Sequence, residues 1–137
     1  MGRAVEGGLL YGPNSSGKKY LATYKHRGTG NPHKTLWNKS FSPNEEYGLF
    51  CDCDEKKWLD VKNNFWGIVD GGRRALGESG ERVGYFPANK VEMVAWHGYP
   101  VSTSDTDYVV PENILDLWVS GNVITPIAAK RIRGGRL

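Results

Sequence analysis

Glycine and proline interrupt this chain so often that its elements must be short. Eighteen glycines and seven prolines fall among 137 residues, and each tends to bend or end whatever precedes it. The length suits a single domain over residues 1–137 with a sizeable core. No apolar run approaches the roughly eighteen residues of a membrane span, and Met1-Gly2-Arg3 opens no signal-peptide pattern. These features predict a soluble, cytoplasmic chain.

The periodicities predict an α+β fold, with mostly antiparallel strands in the N-terminal two thirds, one central helix and a C-terminal helical hairpin at about 111–134. Lys19 to Lys25 alternates as a strand, with Tyr20, Ala22 and Tyr24 on one face and Leu21 and Thr23 on the other. Leu36-Trp37 and Gly48 to Cys51 read as buried pieces, and Arg82 to Phe86 and Val91 to Trp96 as further strands. Lys56 to Trp66 carries Trp58, Val61, Phe65 and Trp66 at helical spacing, which places the central helix there. In the C-terminal region Pro111 suits a first turn, and Ile114, Leu115, Trp118 and Val119 form a stripe before Gly121. Thr125-Pro126 then caps a second helix that Gly134-Gly135 stops.

Net charge is +3, and its placement matters more than its size. Lys130, Arg131, Arg133 and Arg136 sit in a tail without acids; without them, fourteen basic residues face fifteen acidic ones. The tail is therefore the first candidate for nucleic-acid contact. Lys18, Lys19, Lys25, Arg27, Lys34 and Lys39 make the first third locally basic as well. Leu117 to Gly121 with Ile132 to Leu137 resembles the helix and wing of excisionase-type DNA binders, but Ser102 to Asp105 gives no supporting first helix. Arg133-Gly134-Gly135-Arg136-Leu137 resembles a ubiquitin tail, and a Gly-Gly helix stop explains the same residues.

Gly12-Pro13-Asn14-Ser15-Ser16-Gly17-Lys18 has the spacing G-x-x-x-x-G-K and resembles the ATP loops of ABC-type and related ATPases. That resemblance implies phosphate binding with magnesium held by the following Ser or Thr, where this chain has Lys19. A phosphate loop also needs a buried strand before it and a long helix after it. Val5 to Tyr11 is glycine-rich, and Lys19 to Lys25 fits a strand. The segment is expected to be a hairpin loop.

Ala95-Trp96-His97-Gly98-Tyr99-Pro100 is the strongest candidate for a site. A histidine between aromatics beside glycine suits acid–base work near neutral pH. A ribonuclease-type centre would pair His97 with His26 or His33 and recruit Arg27, Lys34 or Arg73 against phosphorane charge. Cys51 and Cys53, at i and i+2, lack a second pair and are expected to be core fillers rather than metal ligands. Glu78, Glu81, Asp105 and Asp107 fall in loop sequence. No catalytic set is favoured, and neither cofactor nor metal is expected.

Five Trp, seven Tyr and four Phe supply an aromatic core or an aromatic surface. The sequence therefore favours a protein-binding module, in concrete form a bacterial immunity or antitoxin-type protein that occludes a partner encoded nearby. Trp96, His97, Tyr99 and Trp37 are its expected anchors. A small metal-independent ribonuclease centred on His97 is the alternative, and DNA binding through the basic hairpin is the third.

Overall fold

The computed structural model describes residues 2–28, 34–89 and 94–137. Two three-stranded antiparallel sheets, a central helix and two C-terminal helices make up a mixed α+β fold. The first sheet orders β1 (Arg3–Val5), β2 (Gly8–Tyr11) and β3 (Tyr20–Thr23), with Tyr11 opposite Tyr20 and Gly8 opposite Thr23. Gly8 has a steric reason to be glycine: a Cβ there would collide with the Ala22 carbonyl on β3. The second sheet, β4 (Phe65–Ile68), β5 (Val83–Phe86) and β6 (Tyr99–Val101), pairs Phe65 with Phe86 and Val83 with Val101.

The central helix is α1 (Pro43–Lys56), so it ends where the sequence stripe places its beginning. Ser42 and Glu45 form a reciprocal capping box, Pro43 occupies the first turn, and Lys57 closes the helix in the left-handed conformation. The Gly48 to Cys51 piece is therefore helical, and the two cysteines lie on one helix with Cys53 buried and Cys51 half-buried. The stripe from Trp58 to Trp66 fails because Asp60 organises a turn within it. Its carboxylate accepts from the Lys62 and Asn64 amides at 2.8 and 3.0 Å and from the Trp66 indole at 2.9 Å. Such local bonds offer the backbone an alternative to helix. Leu59 then bridges to Phe65, and Val61 is left 92% exposed.

α1 packs against β3 and β4. Tyr20, Phe50, Phe65 and Phe86 meet there, with ring centroids 5.0 Å apart for Tyr20–Phe50 and 5.8 Å for Phe50–Phe65. Edge and offset contacts of this kind add to the burial of large apolar area. Glu46 is buried with them: the Tyr20 hydroxyl donates to it, and the half-buried Arg27 reaches Glu46 Oε1 at 2.9 Å. Strand β3 is shorter than the alternating pattern, since Thr23 caps a 3₁₀ turn at Tyr24–His26 and leaves Tyr24 exposed. Of the expected 91–96 strand, residues 91–93 lie outside the described residues; Trp96 bridges to Tyr20, bonded on both sides.

The C-terminal helices fall where the caps place them, as α2 (Glu112–Ser120) and α3 (Pro126–Arg133). Ile114, Leu115 and Trp118 bury one face of α2, and Ala129 and Ile132 bury that of α3. Thr125 Oγ1 accepts from the Ala128 amide at 3.0 Å. Thr125→Ala is expected to lower stability by about 1 kcal/mol, read as a lower urea midpoint at unchanged slope. Among the described residues, no helix is long and apolar enough to cross a membrane.

Candidate functional site

The Gly12 to Lys18 segment is the loop between antiparallel β2 and β3, and its own side chains fill it. Asn14 Oδ1 accepts from the Ser16 and Lys18 amides at 3.2 and 2.8 Å, so donors that a phosphate would need are already engaged. Asp54 of α1 supplies the negative charge: Lys18 Nζ lies 2.9 Å from it, Asn14 Nδ2 donates at 2.9 Å, and the Ser16 hydroxyl bonds it too. Burial opposes the charge on Asp54, but the bonds from Ser16, Lys18 and Asn14 outweigh it and hold its pKa below the ordinary value. The loop is tied to α1 by this carboxylate.

A different cavity gathers the chemistry. His26, His97, Lys25 and Lys34 line a space of about 270 Å³ with Leu21 and Thr23 of β3. His26 arrives on the 3₁₀ turn that Thr23 caps, and Trp37 fixes the next stretch by bonding the His26 carbonyl at 2.8 Å. His97 arrives because Trp96 runs alongside β3, with Leu21 N donating to Trp96 O at 2.7 Å. Gly98 follows it, where a side chain would strike the Phe86 ring and the Tyr85 carbonyl.

The two imidazoles are held differently. His26 Nδ1 lies 2.9 Å from the Thr35 carbonyl, which requires a proton on Nδ1 and leaves the neutral ring's lone pair on Nε2. Its ring stacks on Tyr99 at 4.9 Å, and Tyr99 meets the Tyr108 hydroxyl at 3.0 Å. His97 Nδ1 is shut away from solvent with no hydrogen-bond partner among the described residues. Burial lowers both pKa values; for His26 the Thr35 bond opposes this, while Lys34, His97 and Lys25 add to it. Lys25 and Lys34 also depress His97. The local field on both rings is positive, as a site for an anion requires.

Arg27 is taken out of this role. Its guanidinium bonds the Phe41 carbonyl at 2.7 Å and the buried Glu46, so it joins the 3₁₀ turn to α1 rather than facing the histidines. Arg73 pairs with Asp70 on another surface. Lys34 does line the cavity, and Lys25 joins it without having been singled out for this role; its place directly before His26 was the available signal. His33 lies outside the described residues. Glu46 was also missed, although it sits at i of the buried stripe Leu49, Phe50 and Cys53.

The expected anchors are mostly absorbed inward. Trp37 is 1% exposed, stacked on Phe41 and donating its indole N–H to Gly98 O at 3.2 Å, while Trp96, His97 and Tyr99 are half-buried. In the basic tail Arg133 forms a two-pronged pair with Glu112 at 2.9 Å, and Arg131 bonds the Arg136 carbonyl. Lys130 is exposed. Residues 102–107 are non-helical, so the excisionase likeness has no first helix, and Gly134 and Gly135 terminate α3. Among the described residues, no three His, Cys, Asp or Glu side chains are grouped as a metal site. No protein-family model matches the chain, and neither a curated protein nor a solved structure matches it.

Proposed function

We propose that the chain is a small metal-independent ribonuclease whose acid–base pair is His26 and His97. The observation that carries this reading is the shared cavity that His26 and His97 line together with Lys25 and Lys34. His26, with its lone pair on Nε2, takes the proton from a ribose 2′-hydroxyl. The 2′-oxygen bonds phosphorus, the bond to the 5′-oxygen breaks, and His97 in its protonated form gives that oxygen a proton. The two ammonium groups stabilise the charge that builds on the phosphoryl oxygens. The products are a 2′,3′-cyclic phosphate and a 5′-hydroxyl end.

The pH dependence tests this assignment. Base catalysis needs one histidine neutral, acid catalysis needs the other charged, and both pKa values fall below the ordinary 6.5. The profile of kcat/KM in EDTA should therefore be a bell with its maximum below pH 6.5. Bound phosphate favours the charged rings, so the kcat profile should lie to higher pH. RNA left intact in EDTA across this range would overturn the proposal.

A second reading, a binder that neutralises a protein partner by occlusion, is supported by Tyr24 and Val94, which are 57% and 54% exposed and lie close in sequence to Lys25 and Trp96. In that case the cationic cavity seats an acidic side chain of the partner. His97→Ala should then weaken a co-purifying complex while no RNA cleavage is detectable in the wild type.

A further inference from the structure

A larger groove lies between the turn at Gly71–Arg73 and the junction of α2 with α3, with a volume of about 750 Å³. Arg73, Arg82 and Arg131 line it, drawn from three separate segments, and its lining holds no carboxylate side chain. Arg82 and Arg131 have no ion-pair partner among the described residues. Arg82 Nη1 is instead fixed by the Gly72 and Arg73 carbonyls at 2.9 and 3.2 Å, which orients the guanidinium without neutralising it. Arg73 shares its charge with Asp70 in an exposed pair. Ile127, 74% exposed, adds an apolar contact surface among the lining residues.

We infer that this groove binds the phosphodiester backbone of a single-stranded RNA, as a subsite separate from the histidine cavity. Guanidinium forks match phosphate oxygens in pairs, and two arginines without acidic partners among the described residues, Arg82 and Arg131, drawn from separate segments, suit successive phosphates of a chain. Ile127 adds an exposed apolar side chain beside these guanidinium groups. Of the basic tail, Arg133 is paired with Glu112, whereas Arg131 faces this groove beside Arg82. Naming RNA as the ligand rests on the ribonuclease reading; the cationic groove does not.

The test uses a fluorescent 2′-O-methyl RNA of about a dozen nucleotides, a length that single-strand sites accommodate, and which lacks the 2′-hydroxyl needed for cleavage. Anisotropy titrations over a range of salt should give a slope of log K against log salt that flattens by about 0.7 for Arg131→Gln and by about 1.4 for Arg82→Gln with Arg131→Gln. Because Arg82 also braces the Gly71–Arg73 turn, Arg82→Lys serves as a charge-retaining control that should keep the slope. Arginine-dependent binding by a wild type that cleaves no RNA supports the groove and removes the nuclease reading. Cleavage with binding unaffected by Arg131→Gln and by the double variant overturns the groove and leaves the nuclease reading standing. Binding of polyglutamate, dependent on Arg131, with none of the oligonucleotide would likewise overturn it.

Discussion

Glu46→Ala should destabilise the fold by about 3–5 kcal/mol, the cost of leaving a buried charge without its partner. Glu46 is fully buried on α1, with Tyr20 and Arg27 on its two oxygens. Removing the carboxylate strands the Arg27 guanidinium, whose Nε already lacks a partner among the described residues. It also frees the 3₁₀ turn that carries His26. The same triad has a pH signature. Burial raises the Glu46 pKa to about 7 from an ordinary 4.5, against the bonds from Tyr20 and Arg27 that favour the charge. Between those two values the native state holds a proton that the unfolded chain has released, so this group's contribution to stability falls as pH rises through that window. Urea denaturation of wild type and Glu46→Gln at several pH values isolates it: their difference in unfolding free energy should change across the window and level off above it. A constant difference would show that Glu46 does not titrate there.

His97→Ala and His26→Ala should each lower kcat/KM for RNA cleavage at least about 100-fold, the low end of what a positioned acid or base supplies. Because the two act in one step, the double variant should lose far less than the product of the single effects. Lys34→Ala should lower the rate and, because Lys34 depresses both histidines, shift the bell to higher pH while keeping both limbs, since it stabilises charge rather than moving a proton. Unchanged urea midpoints in these variants would separate lost chemistry from lost fold. For His97 a structural role predicts the opposite pattern, with lower stability and unaltered cleavage.

The parts of this fold that were legible in the sequence are those specified locally. Thr125-Pro126 and Gly134 bound α3 through contacts within a few residues, and the alternation around Tyr20 belongs to a strand that buries Tyr20 and Ala22. The central helix was misplaced because two signals competed. Trp58, Val61 and Phe65 have helical spacing, but Ser42-Pro43-Asn44-Glu45 carries the start signal, and Asp60 turns the chain where the stripe would continue. Capping chemistry was the better guide, since it engages particular backbone groups whereas apolar spacing of a few residues also fits a tight hairpin.

The site was legible only as residue types. Nothing in the spacing of His26 and His97 brings them together; the meeting depends on Trp96 running beside β3 and on Thr23 turning the chain. Arg27 illustrates the converse. Next to His26 in sequence, it reads as a catalytic cation, yet the buried Glu46 claims it. The aromatic surplus had two sequence explanations, core or surface, and Trp37, Phe50, Phe86 and Trp118 place much of it in the core.

The most direct measurement is the identity of the ends produced when the purified chain is incubated with a defined RNA in EDTA below pH 6.5, read by mass spectrometry. Transfer to the 2′-oxygen by the two histidines should yield 2′,3′-cyclic phosphate and 5′-hydroxyl ends, leave an all-deoxy strand intact, and be lost in the His26→Ala, His97→Ala double variant. Ends bearing 5′-phosphate, cleavage of the deoxy strand, or equal cleavage by the double variant would contradict it.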